Sequence, residues 1–170
     1  MRIELLTSAH DIDGFESGVK PLDDWLVGHA LLNQQRNLSR TFVLLDDSDV
    51  VIGFYSLTMG GVRVDQPPRR FGRGLPRYDI GMVLLGRLAI DTSSQGQGLG
   101  RDLLIDAIYR AAIAGESAVA RFIAVDPIDE AARSFYSAFG FLDVPGDDHG
   151  RMFLRIDEAL AAFHEGDDIH

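Results

Sequence analysis

The sequence predicts an α/β protein, a mixed central sheet flanked by helices, folded as one domain over residues 1–170 with an acidic tail at about 165–170. Three observations carry that prediction. Val83 to Ile90 is almost continuously apolar, the pattern of a strand covered on both faces at the centre of a sheet. Segments of strand character and of helical periodicity alternate along the chain. The composition, 46% hydrophobic and 25% charged over 170 residues, is that of a globular chain. A chain of that length buries roughly two-thirds of its unfolded surface without a disulfide or metal staple.

Arg2 to Leu6 reads as a first strand, and Asp13-Gly14-Phe15-Glu16-Ser17-Gly18 as a loop. Leu22, Trp25, Leu26, Ala30, Leu32 and Asn33-Gln34 follow at helical spacing, with Asp23-Asp24 at the end where negative charge suits the helix dipole. Thr41–Leu45 and Val50–Leu57 form a hairpin around the turn sequence Asp46-Asp47-Ser48-Asp49. Gly60 to Gly81, with Pro67-Pro68, Gly72 and Gly74, has little periodicity and reads as a long loop, of the kind that is usually functional or disordered. After the central strand a glycine-rich turn leads into a helix with Leu99, Leu103, Leu104, Ala107, Ile108 and Ala111 on one side. Arg121–Val125 is the next strand. Asp126 is then the expected N-cap of a helix with Pro127 at its first position, Phe135 and Phe139 on one face, and its stop at Gly140. Phe141 and Met152–Ile156 supply the last strands around a His149-Gly150 turn, and Asp157–His164 a short final helix.

Net charge is −10, which argues against a surface that coats nucleic acid throughout. Its distribution is uneven. Arg63, Arg69, Arg70, Arg73, Arg77 and Arg87 face only Asp65 and Asp79, a local +4 that leaves −14 elsewhere. That stretch reads either as a solvated loop face or as a phosphate-binding surface, which Arg36 and Arg40 would extend. The absence of cysteine excludes disulfides, thiolate nucleophiles and Cys-ligated zinc. His10, His29, His149, His164 and His170 show no ligand spacing, and no G-x-S-x-G elbow exists, so neither a metal nor a serine hydrolase is expected. Without a signal-peptide core or an apolar run of about 18 residues, the expectation is a soluble cytoplasmic protein with no membrane contact.

The most specific local signal is Gln95-Gly96-Gln97-Gly98-Leu99-Gly100, directly after the central strand and directly before a helix. Glycines let backbone amides face a ligand closely, and a helix start adds unpaired N–H groups and partial positive charge. The spacing is neither the dinucleotide G-x-G-x-x-G nor a nucleotide-triphosphate loop. A strained turn is the bland alternative; a phosphate or pyrophosphate cradle suits the strand–loop–helix setting better.

Leu88-Ala89-Ile90-Asp91, the Q-x-x-G-x-G at 95–100 and Phe135-Tyr136-x-x-Phe139-Gly140-Phe141 resemble the GNAT family of acyl-CoA-dependent N-acetyltransferases, across essentially the whole chain. Ser17-Gly18-x-x-x-Leu22-x-x-Trp25-Leu26, then Asn33-Gln34 with Ser39-Arg40-Thr41-Phe42-Val43, and Leu85-Gly86-Arg87-Leu88-Ala89 bring it closer to the GNAT toxins of bacterial toxin–antitoxin modules, which acetylate aminoacyl-tRNA. Ser17 stands where that group often has Cys, and Asp79-Ile80-Gly81 where it has a proline-bearing stretch. The resemblance implies a single-domain GNAT fold with acetyl-CoA as acetyl donor. Backbone groups of Leu88, Ala89 and Ile90 would pair with the pantetheine arm as an added strand. Gln95, Gly96, Gln97, Gly98, Leu99, Gly100 and Arg101 would hold the pyrophosphate. It also implies a ribbon-helix-helix-type antitoxin and a homodimer.

By the same resemblance Tyr136 is the group that serves the departing CoA sulfur. A phenol near pKa ~10 is a weaker acid than a thiol near ~8.5, so the expected role is a hydrogen bond to developing sulfur charge, with proton transfer late or partial. An α-amine of pKa near ~8 is neutral in about one molecule in ten at pH 7, and an aminoacyl ester's amine is more acidic still. Such a substrate needs no dedicated strong base, in keeping with a sequence that offers none, and direct attack of amine on thioester follows. Two rivals remain: a GNAT enzyme acting on a small amine or protein N-terminus, and a non-catalytic CoA-binding regulatory subunit.

Overall fold

The computed structural model describes residues 1–62, 79–144 and 150–167. Among these, seven strands share one sheet in the order β1-β2-β3-β4-β5-β7-β6. They are β1 Arg2–Leu5, β2 Arg40–Leu45, β3 Val51–Val62, β4 Ile80–Ile90, β5 Phe122–Val125, β6 Leu142–Asp143 and β7 Met152–Arg155. The helices are α1 Lys20–Trp25, α2 Leu31–Gln35, α3 Leu99–Ser117, α4 Glu130–Ser137 and α5 Ile156–Asp167. The parallel β4–β5 pair stands beside antiparallel β1–β2, β2–β3, β5–β7 and β6–β7 pairs, so the sheet is mixed, as expected. The chain gathers into two compact units, Met1–Thr58 with Gly86–Ala107, and Met59–Leu85 with Ile108–His170.

In the first unit the β2–β3 turn forms where the acidic run predicts it. Asp46 accepts from the amides of Ser48 and Val50, and Asp49 takes the left-handed backbone such a turn requires. The predicted helix over residues 20–35 exists, but a π-helical turn at Leu26–Ala30 interrupts it between α1 and α2. It buries Trp25, Leu26, Ala30 and Gln34. Leu6, Phe15, Val43, Leu45, Val51, Phe54 and Ala89 complete that core. Asp23 lies in the first turn of α1, as expected, and also accepts from Ser17, while Asp24 accepts from Lys20. Gln34 joins the residue after β1 to β2. Its side-chain amide donates to the Leu6 carbonyl at 2.7 Å, and its oxygen accepts from the Thr41 amide at 3.0 Å. Both partners are main-chain groups that would otherwise be buried unpaired. Gln34→Ala is therefore expected to cost about 2–4 kcal/mol of stability, read as a lower urea midpoint at unchanged m.

In the second unit the expected loop from Gly60 to Gly81 is shorter than its composition suggests. β3 continues to Val62 and β4 begins at Ile80, leaving 63–78 outside the described residues. Gly81 answers to close packing against backbone rather than to a turn, whereas Gly60 faces only the flexible end of Met82. A Cβ on Gly60 would lie 2.9 Å from Met82 Cε, and one on Gly81 would lie 3.2 Å from both Ala120 Cα and the Val119 carbonyl. Ile80, Met82, Phe122, Ala124 and Phe153 form the apolar cluster here.

Asp126 is not the cap of α4. Its carboxylate pairs with Arg151 at 2.6 and 2.8 Å, and the helix starts later, capped by Asp129, which accepts from the Ala132 amide at 2.7 Å. Pro127 thus precedes the helix rather than opening it. The left-handed Gly140 (φ +88°) closes the turn that follows, where the Phe141 amide returns to the Tyr136 carbonyl. α5 runs to Asp167, so part of the expected tail is helical backbone; the His149 half of the predicted turn and residues 168–170 lie outside the described residues. Once begun, a helix extends by one main-chain bond per residue without needing an apolar side chain.

Candidate active site

The glycine-rich segment lies in the first unit and has the form of an anion cradle. Gly96 and Gly98 both adopt left-handed backbones, φ +76° and +81°. A Cβ on either would meet no protein atom within 4 Å, so the space before them is open. The first helical bonds of α3 are the amides of Arg101 and Asp102 donating to the Gly98 carbonyl. The amides from Gly96 to Gly100 have no acceptor among the described residues and stand at the positive end of a 19-residue helix. Leu99 is buried and anchors the turn, whereas Gln95, Gly96, Gln97, Gly98 and Arg101 are exposed. Gly100 is half-buried, and a Cβ there would meet only Ile90 Cγ1, at 3.9 Å.

Gln95 sits in this segment, but its side-chain amide points away from the cradle. Nε2 donates to the Ser17 carbonyl at 2.9 Å and to the Ile90 carbonyl at 3.0 Å. Asp91, unassigned from sequence, caps the short 3₁₀ turn Thr92–Ser94: Oδ1 accepts from the Ser93 amide and hydroxyl, and Oδ2 from the Glu16 amide. Burial pushes the Asp91 carboxyl up, but the bonds from the Ser93 hydroxyl and the two amides outweigh it and hold it below its ordinary value.

The strand that precedes the cradle, β4, is paired with β5 over only part of its length. Pairing of β4 with β5 runs from Met82↔Phe122 to Leu85↔Val125 and stops, while β4 continues to Ile90. Leu88, Ala89 and Ile90, the predicted pantetheine-pairing residues, lie on that continuation; Ala89 is buried and its neighbours are half-buried. Gly53 on β3 makes room for it. A Cβ there would fall 2.8 Å from Ile90 Cδ1, 3.2 Å from the Ala89 carbonyl and 3.4 Å from Leu103 Cδ2. Gly53 is not singled out by the sequence, because the atoms that crowd it belong to Ala89, Ile90 and Leu103, far away along the chain. Gly53→Ala is expected to cost about 1–3 kcal/mol in overpacking, measured as a fall in melting temperature.

Tyr136 lies in the second unit, on α4. Its ring packs against Phe135 (centroids 5.4 Å apart) and against the fully buried Phe141 (5.7 Å), and Phe135 in turn meets Phe139 at 5.4 Å. Burial pushes the Tyr136 phenol up to about 12. The ring is held among aromatics with its hydroxyl kept protonated, a donor rather than an acid of matched strength.

Three of the arginines expected to contact RNA, Arg36, Arg40 and Arg87, lie among the described residues. Arg36 and Arg40 are exposed, and Arg40 also donates to the Asn37 side chain at 3.2 Å. Arg87 lies over the Trp25 ring, 4.0 Å from its centroid, and burial pushes its guanidinium below the usual arginine range. Trp25 itself is core, stacked on Phe54 at 6.2 Å. Arg63, Arg69, Arg70, Arg73 and Arg77 lie outside the described residues. Among the described residues no helix is long and apolar enough to cross a membrane, and no group of three His, Asp or Glu is arranged to hold a metal.

Known proteins fit this arrangement. Residues 37–142 match the acetyltransferase (GNAT) domain. A tRNA-acetylating toxin of Mycobacterium tuberculosis (strain ATCC 25618 / H37Rv) is 41% identical over 152 residues, covering 89% of this chain and 90% of the relative. The solved structure of AtaT complexed with acetyl-methionyl-tRNAfMet superposes with a TM-score of 0.86 at 27% identity, covering 95% of this chain and 98% of the other. A mutant AtaT toxin bound to the C-terminus of the antitoxin AtaR and acetyl-CoA gives a TM-score of 0.80 at 26% identity, covering 95% and 97%. The chain belongs to the GNAT family of acetyltransferases.

Proposed function

We propose that this protein, acting as one domain over residues 1–170, transfers the acetyl group of acetyl-CoA to the α-amino group of aminoacyl-tRNA, and that it is the toxin of a toxin–antitoxin pair. The observation that carries the reading is the extent of the likeness to a tRNA-acetylating toxin, which spans the cradle, the β4 continuation and α4 together. The AtaT complex with an acetylated, charged tRNA supports the same substrate class. Acetyl-CoA supplies the acetyl group as a thioester, which an amine cleaves without a covalent enzyme intermediate.

The chain's own residues divide the work. The free amides of residues 96–100, with Arg101, suit a pyrophosphate. Main-chain groups of Leu88, Ala89 and Ile90 extend past the end of β5 pairing and suit the amide groups of a pantetheine arm. Tyr136, protonated throughout the working range, donates to the sulfur as the carbon–sulfur bond breaks. The attacking amine, already neutral in an appreciable fraction at neutral pH, passes its proton to solvent.

A net charge of −10 does not oppose an RNA substrate, because phosphate attraction needs a basic patch rather than a basic protein. The stretch Arg63–Arg87, with Arg36 and Arg40, is the proposed RNA contact. A ribbon-helix-helix antitoxin, a homodimer and a cytoplasmic location complete the reading. A cell-free translation assay tests it: synthesis should stop only when protein and acetyl-CoA are both present. Unimpeded translation under those conditions would move the substrate to small amines or protein N-termini.

A further inference from the structure

The cradle is an exposed loop with little burial of its own. Thr92, Ser93 and residues 95–98 are exposed, and Leu99 is the first buried apolar side chain after Ala89. Two of its residues occupy left-handed backbones. Ordering such a segment costs about 1–2 kcal/mol per residue in backbone entropy, and an unbraced loop would meet that cost when it binds.

What holds it comes from far away in sequence. The Glu16 amide donates to Asp91 Oδ2 at 2.9 Å, the Thr92 amide donates to the Glu16 carbonyl at 2.8 Å, and Gln95 Nε2 donates to the Ser17 carbonyl at 2.9 Å. Glu16 and Ser17 are therefore tied to 91–95 by one main-chain bond and by the side chains of Asp91 and Gln95. This segment is itself fixed to α1. Asp23 Oδ1 accepts from the Ser17 amide at 3.0 Å and from its hydroxyl at 2.5 Å, and the buried Ser17 hydroxyl takes the Val19 amide at 3.2 Å. Gly18 completes the turn with φ +83°, and a Cβ there would sit 3.6 Å from Thr92 Cγ2.

We propose that segment 16–18 is a brace for the pyrophosphate cradle, and that Asp91 and Gln95 are positioning residues that fix the cradle through it rather than through contact with the ligand. The inference rests on the acetyl-CoA reading above. It assigns to Asp91, Gln95, Ser17 and Gly18 a share of cofactor affinity that none earns by touching the cofactor. The brace predicts a split between donors. It matters for a donor with a pyrophosphate and is irrelevant to one without.

The test compares acetyl-CoA with S-acetylpantetheine, which keeps the thioester and the arm but lacks the pyrophosphate, in wild type, Asp91→Asn and Gly18→Ala. CoA binding is followed by calorimetry alongside the kinetics. Each variant is expected to raise KM for acetyl-CoA and Kd for CoA about tenfold with kcat near wild type, while kcat/KM for S-acetylpantetheine stays within about twofold. The double variant should raise KM by less than the product of the two, because both act on one brace. If one variant does not fold, the other carries the comparison. Equal losses with both donors, or wild-type CoA affinity in a folded variant, would overturn the brace. Failure of wild type to bind CoA would instead overturn the acetyltransferase reading on which the brace rests.

Discussion

Tyr136→Phe is expected to lower kcat for acetyl transfer by about a hundredfold or more, with Kd for acetyl-CoA within about threefold of wild type. The phenylalanine ring keeps the contacts with Phe135 and Phe141, so the helix and its packing remain. What is lost is one hydroxyl. Because burial holds that hydroxyl at about 12, it is protonated at every working pH, so its contribution is fully present in neutral and mildly alkaline solution and disappears only as pH approaches that value. The wild-type kcat profile should therefore show no falling limb from this group up to about pH 10, and Tyr136→Phe should lower the whole profile without changing its alkaline shape. A phenol this much weaker than a thiol near pKa ~8.5 contributes by hydrogen bonding to the sulfur as charge grows there, so the loss should appear in kcat rather than in binding.

The second large effect belongs to the cradle. Gly98→Ala places a side chain on a left-handed backbone at about 1–2 kcal/mol of strain, and its new methyl points into the space kept open before the amides. The two effects together should raise KM for acetyl-CoA by about thirtyfold or more, with a smaller change in kcat. Gly100 has no positive φ and its added Cβ would meet Ile90 only at 3.9 Å, so Gly100→Ala should raise KM less than Gly98→Ala does. A reversed order would mean that the ligand, and not the backbone conformation, sets the need for glycine along this loop.

The cradle was the feature most legible in the sequence, and for a physical reason, whereas the role of Tyr136 was implied by the family resemblance alone. A buried strand, a glycine turn and a helix start follow one another between Val83 and Leu99, so the cradle is written in adjacent residues. The hairpin around Asp46 and the stop near Gly140 were legible in the same way. Features that depend on distant partners were not. Asp126-Pro127 carries every local mark of a helix start, yet Arg151 claims the Asp126 carboxylate and the cap passes to Asp129. Asp91 lies within the motif, but its partner Glu16 is 75 positions away. Gly81 looks like a loop residue until Val119 and Ala120 are seen against it. The departure at Ser17, where the toxins often have Cys, also becomes intelligible. Its hydroxyl bonds Asp23 and receives the Val19 amide, and it closes the turn that braces the cradle.

The central claim is that acetyl moves from CoA to the amino acid of a charged tRNA with Tyr136 assisting. Transfer of labelled acetyl from acetyl-CoA to total aminoacyl-tRNA, wild type beside Tyr136→Phe, tests it most directly. Label should appear on charged tRNA, be absent from uncharged tRNA, and fall by about two orders of magnitude in the variant. No label on any charged tRNA from a wild-type protein that binds acetyl-CoA would contradict the substrate, and full labelling by Tyr136→Phe would contradict the mechanism.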